Sequence, residues 1–172
     1  MFDWLKKFFH KEQTSKKEKL ISAFLFFVYI FLVGFRGNIM RGEERTFYET
    51  LMKPEVIPPD WLFPFIWTIL FVLIGFAGYY VWNFYKSDRL RKIFAGLYAV
   101  NGLLIYLWPY MFFTQQSISG ALYVIIGLII VIELMILVAF KTNHKSAYML
   151  IPYLLWILFV IYLNANFLIL NA

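Results

Sequence analysis

Five long apolar runs, at residues 20–35, 61–85, 93–113, 120–140 and 147–170, are separated by stretches where charge and polarity gather. Crossing a hydrocarbon core of ~30 Å takes roughly 20 helical residues, and the runs approach or exceed that length. Both parities are apolar over whole runs, whereas a membrane barrel strand of ~10 residues alternates apolar and polar positions. The pattern predicts an all-α membrane protein with five transmembrane helices. Three connections are short (86–92, 114–119 and 141–146), but the one from Gly37 to Asp60 runs to 24 residues. Connections of that length are usually lids or binding segments, or else disordered. Its Pro54, Pro58 and Pro59 fix φ and remove backbone donors, which predicts a semi-rigid extended path running into the second span. Just before them, Phe47, Tyr48, Leu51 and Met52 form an apolar face.

Composition agrees, with 62% hydrophobic, 22% aromatic and 15% charged residues, more apolar surface than a soluble domain of this size buries. The net charge of +6 is explained by topology. With the N-terminus inside, twelve Lys and Arg residues fall on the cytoplasmic side and four, Arg36, Arg41, Arg45 and Lys53, outside. The excess of positive charge inside favours N-in, C-out. Residues 1–19 precede the first span as a basic extension in which Trp4, Leu5, Phe8 and Phe9 share one helical face. That pattern suits a short helix on anionic headgroups, the alternative being a disordered basic tail. No small-x-small cleavage site follows the first run, so it is read as a span and not a signal peptide. Residues 20–172 then form one five-helix domain.

Spacing within the spans brings candidate residues together. Pro152, Trp156, Val160 and Asn164 recur every four residues with Leu163 beside them, predicting one stripe on the fifth helix. Asn101, Ile105, Trp108 and Phe112 do the same on the third, and Phe63, Trp67 and Phe71 on the second. A planar apolar molecule would stack on such rings at ~0.5–1.5 kcal/mol per aromatic contact beyond area burial. Asn101 and Asn164 would orient its polar edge. The plainer reading makes the tryptophans an interfacial belt or packing, and Asn164 helix-to-helix glue.

Glu133 is the one acid inside a span. It either faces a neighbouring helix or a subunit seam, or snorkels toward the cytoplasmic interface. Phosphate loops, nucleophile elbows and metal clusters are absent from the sequence. Zero cysteines exclude thiolate chemistry, and His10 and His144 fall in loops, so no histidine within the spans is placed to ligate a metal.

The segment GFRGNIMRGEERTFYETLMKPEVIPPDWLFPFIWTILFVLIGFAGYYVW, with GLYAVNGLLIYLWPYMFF, GALYVIIGLIIVI and LIPYLLWILFVIYLNANFLILN after it, resembles the TspO/MBR family of bacterial tryptophan-rich sensory proteins and mitochondrial translocator proteins. Only about the first twenty residues fall outside the resemblance. It implies a five-helix bundle of TspO/MBR type in a bacterial plasma membrane, usually as a homodimer, for which small residues such as Ala95 and Ala99 offer a seam. It also implies a pocket beneath the first loop for protoporphyrin IX or a related tetrapyrrole, or a sterol-like molecule, with no cofactor, metal or nucleic-acid partner. The ligand-binding residues carried over are Tyr48, Pro54, Phe63, Ile66, Trp67, Asn101, Ile105, Trp108, Trp156, Val160, Leu163 and Asn164. The function implied is a porphyrin-binding sensor or carrier. Light- or oxidant-dependent porphyrin breakdown, with Trp67 and Trp156 as electron donors, and porphyrin or lipid transport are the alternatives. Val56, Ile105 and Val124 stand where relatives often carry tryptophan, asparagine and aspartate, which thins polar recognition.

Overall fold

The computed structural model describes residues 15–43, 45–84 and 87–172. The N-terminal extension before Ser15, with its expected surface helix, lies outside them. Six helices follow: α1 (Lys16–Glu43), α2 (Arg45–Thr50), α3 (Leu62–Phe84), α4 (Asp88–Pro109), α5 (Ile118–Thr142) and α6 (His144–Leu170). All but α2 are long and apolar enough to cross a bilayer.

Local chemistry sets the ends. Ser15 and Glu18 form a capping box: the Glu18 N–H donates to Ser15 Oγ at 3.3 Å, and the Ser15 N–H donates to the Glu18 carboxylate at 2.9 Å. The first helix therefore starts at Lys16 rather than near Leu20, with three lysines wound into its first turns. Ser117 caps α5 by accepting from the Gly120 N–H at 3.1 Å, and Asn143 caps α6 by accepting from the N–H groups of Lys145 and Ser146. At the other end of the first helix a correction is needed. It continues to Glu43 instead of stopping near Phe35, because the end of an apolar run marks where the chain leaves hydrocarbon and does not itself stop a helix. The connection expected at 37–60 is accordingly half helical: among its described residues only 51–60 lack helix, and they hold the three prolines.

The spans close into a ring in the order α1, α3, α6, α5, α4 and back to α1. In the half of the bundle away from α2, aromatic rings of α1 press into glycines of the neighbouring helices. Phe27 lies over Gly75 and Phe26 over Gly78, so close that a Cβ would meet the rings at 2.6 and 2.5 Å, and Tyr29 lies over Gly102. Ile74, Ile132, Leu150 and Tyr153 fill the centre with no exposure. The Tyr153 hydroxyl donates to Asn101 Oδ1 at 3.0 Å, joining α6 to α4 in the middle of the bundle.

The α4 helix ends differently. Pro109 withdraws a backbone donor, and the chain continues for one π-helical turn, Tyr110–Thr114, with the Gln115 N–H donating to the Tyr110 carbonyl at 2.9 Å. Both Phe112 and Phe113 are buried there. With Ala121 and Phe167 they form a second apolar cluster, on which Phe47, Tyr48, Leu51 and Ile57 of the first connection rest.

Candidate functional site

Beneath that roof lies a cavity of about 240 Å³. Phe31, Gly34 and Phe35 of α1 form one wall; Phe63, Pro64, Trp67, Thr68 and Phe71 of α3 form the next. Ile105, Trp108 and Pro109 of α4, with Phe112 and Phe113 of the π turn, close a third side, and Val160, Leu163, Asn164 and Phe167 of α6 the fourth. Tyr48 of α2 and Ile57 of the proline segment cover it, while α5 contributes nothing to the lining.

Aromatic rings set its shape. Trp67 lies 5.2 Å from Phe71 and 6.2 Å from Tyr153, so the Tyr153–Asn101 pair lies just behind it. Trp108 lies 6.2 Å from Phe112, and Tyr48 lies 5.7 Å from Phe167. The ammonium of Lys53 sits 5.0 Å from the Tyr48 ring centroid, a cation–π contact on the roof.

Polar groups inside are few. Asn164 is 2% exposed, and neither its Oδ1 nor its Nδ2 has a hydrogen-bond partner within the protein. The same holds for Trp108 Nε1. A buried polar atom without a partner costs about 1–3 kcal/mol, so an unpaired amide in an aromatic cavity is worth explaining. Thr68 has a partner already, its hydroxyl donating to the Pro64 carbonyl at 2.7 Å and keeping only its capacity to accept. Among the described residues no cluster of His, Cys, Asp and Glu could hold a metal ion.

The sequence-derived residues divide. Tyr48, Phe63, Trp67, Ile105, Trp108, Val160, Leu163 and Asn164 meet at the cavity. Pro54, Ile66, Asn101 and Trp156 are not part of its lining. Residues four apart advance by about 400°, so an every-fourth stripe drifts by ~40° per step. Pro152 is therefore exposed, Trp156 is half-buried and packs on Phe63 at 5.6 Å, and Val160 and Asn164 are fully inside. Asn101 is engaged by Tyr153 as the floor of the site. Ile66 precedes Trp67 by ~100° around the helix and packs on the core instead. Pro54 is buried in the connection, where Ile57 is the residue that reaches the cavity. Missed altogether was the α1 wall, although Phe31 and Phe35 flank Gly34 at one helical turn. Glu133 lies on the exposed side of α5, away from the cavity.

Comparison with known proteins agrees with this architecture. Residues 23–170 match the TspO/MBR family. The chain is 36% identical over 140 residues to "Tryptophan-rich protein TspO" of Chlorobaculum tepidum, covering 81% of this chain and 89% of that one. It is 34% identical over 157 residues to the protein of the same name from Archaeoglobus fulgidus (90% and 97% covered), and 31% identical over 138 residues to "Translocator protein" of Bos taurus (77% and 80% covered). An integral membrane bundle of five long apolar helices that matches the family pattern over nearly all of its spanning length belongs to the TspO/MBR family.

Proposed function

We propose that this protein is a sensor or carrier that holds a tetrapyrrole such as protoporphyrin IX, or a sterol-like molecule, in the cavity under α2. The observation that carries this reading is Asn164, an unpartnered amide inside a cavity otherwise walled by aromatic and aliphatic side chains. A flat apolar molecule with a polar edge satisfies both features at once, stacking on Trp67 and Trp108 while its edge meets the amide and the Trp108 N–H. At 240 Å³ the cavity is just below the ~300–1,000 Å³ of sites for drug-sized ligands. Binding a macrocycle therefore requires a wall or the roof to give way. On this reading the membrane is a bacterial plasma membrane, and the distribution of Lys and Arg supports an N-in, C-out orientation; a reporter at the C-terminus that is active only in the cytoplasm contradicts this orientation. Homodimerisation through the Ala95 and Ala99 face of α4 belongs to the same reading.

A second reading, light-driven porphyrin breakdown, is favoured by Trp67 lining the cavity. Trp156 fits it less well, standing behind Phe63. Titration with protoporphyrin IX, in the dark and then under light, separates the two. Saturable quenching of tryptophan fluorescence with a stable porphyrin spectrum supports a binder, and loss of porphyrin absorbance that depends on Trp67 supports breakdown. No quenching at any concentration rejects both.

A further inference from the structure

We propose that ligand enters the cavity sideways from the bilayer, between α1 and α3 in the half of the bundle nearer α2, and not through the roof. This rests on the ligand reading above for what is carried, but the opening itself is read from exposure and packing.

Three residues that line the cavity also face outward on spanning helices: Phe31 is 37% exposed, Phe35 is 66% exposed and Thr68 is exposed. A side chain that borders both a cavity and the lipid marks a gap between helices. Its edge is mostly apolar, with the Thr68 hydroxyl proton already given to the Pro64 carbonyl. The same seam is tight further down, where Phe26 and Phe27 fill the space over Gly78 and Gly75. Above, closure depends on rings that can turn: Phe31 lies 5.9 Å from Phe71, and Phe71 in turn covers Gly34. α1 is also the least buried span, with 11% of its apolar stretch enclosed against 33% in each of the others. Weakly packed elements open at the lowest cost.

The roof, by contrast, is latched. Asn171 Oδ1 accepts from the Met52 N–H at 2.9 Å, and its Nδ2 donates to the Met52 carbonyl at 3.0 Å, a two-point clamp from the far end of the chain. Phe47 and Tyr48 add ring contacts on Phe112, Phe113 and Phe167. The occupant that fits a lateral opening is a molecule already dissolved in hydrocarbon, flat or slender enough to pass between Phe31 and Thr68, with one polar group to meet Asn164.

The chain has no cysteine, so a thiol introduced by Phe35→Cys can be labelled alone with a bulky methanethiosulfonate reagent. In nanodiscs, association of membrane-dissolved protoporphyrin IX is followed by tryptophan quenching. Labelling should slow association at least about tenfold relative to unlabelled Phe35→Cys, within the one to three decades spanned by related complexes. Asn171→Ala, which releases the roof, should leave the rate unchanged. An unaffected rate after labelling, or acceleration by Asn171→Ala, overturns lateral access in favour of the roof. A second readout needs no porphyrin: lipids brominated on the upper acyl chain should quench the part of the fluorescence lost in Trp67→Phe, and the label should protect it. Absence of that quenching overturns the portal. Quenching by brominated lipid in a protein that never binds porphyrin retains the portal and rejects the tetrapyrrole reading.

Discussion

The two halves of this bundle are built from the same residue types and do opposite things with them. In the half away from α2, aromatic rings meet glycines: Phe27 on Gly75, Phe26 on Gly78 and Tyr29 on Gly102 leave no room for even a methyl group. In the half under α2 one ring, Phe71, still covers a glycine, Gly34, but Trp67, Trp108, Phe63 and Phe112 stand around a space of about 240 Å³. Their asparagines differ in the same way. Asn101 accepts from Tyr153 at 3.0 Å and leaves only its Nδ2 without a partner, whereas neither polar atom of the Asn164 amide has one. Aromatic richness is thus not a pocket signal in itself; what counts is whether the rings close on small residues or face one another across a space, and how many atoms of each buried amide are paired.

Substitutions that cross this divide should show it. Gly75→Leu forces a side chain into the Phe27 ring, and overpacking of this kind costs roughly 1–3 kcal/mol or more. Thermal unfolding in detergent should shift well below wild type, the largest loss expected. Asn101→Leu leaves the Tyr153 hydroxyl buried without its acceptor, for about 1–3 kcal/mol, again visible as a lower midpoint. The matching change in the other half, Asn164→Leu, removes an amide with no partner to lose. It should leave the apo midpoint equal or higher while weakening protoporphyrin IX about tenfold, the ~1.4 kcal/mol of one hydrogen bond. Asn171→Ala releases the clamp on Met52 and should cost about 1 kcal/mol, with faster proteolysis between Thr50 and Trp61. Smallest of all, Glu133→Gln lies on the outer side of α5 and should leave porphyrin affinity unchanged in the same titration; a large loss would place that face in contact with the site.

Much of this was legible beforehand because bilayer thickness and helical rise tie span length directly to sequence. Trp67, Trp108, Val160 and Asn164 could be placed in one site because residues three or four apart share a face. Trp156 and Pro152 could not, because the four-residue step drifts away from the cavity over three repeats. The extension of α1 to Glu43 was hidden by equating loss of hydrophobicity with loss of helix, although the Ser15 and Glu18 pair that starts it is a readable signal. The α1 wall was opaque for another reason. Which rings face a cavity and which face a glycine depends on the neighbouring helix, and Gly34 under Phe71 involves residues far apart in sequence.

The most direct test of the divide is the thermal midpoint of the purified protein with and without protoporphyrin IX, for wild type and Asn164→Leu in parallel. Ligand at about 100 times its Kd stabilises a binding fold by about 2.7 kcal/mol. Wild type should rise by a clear margin at that concentration, and Asn164→Leu, with an apo midpoint no lower, should rise much less. Equal rises in the two proteins would show that Asn164 does not meet the ligand, and no rise in either would show that the cavity does not hold a tetrapyrrole.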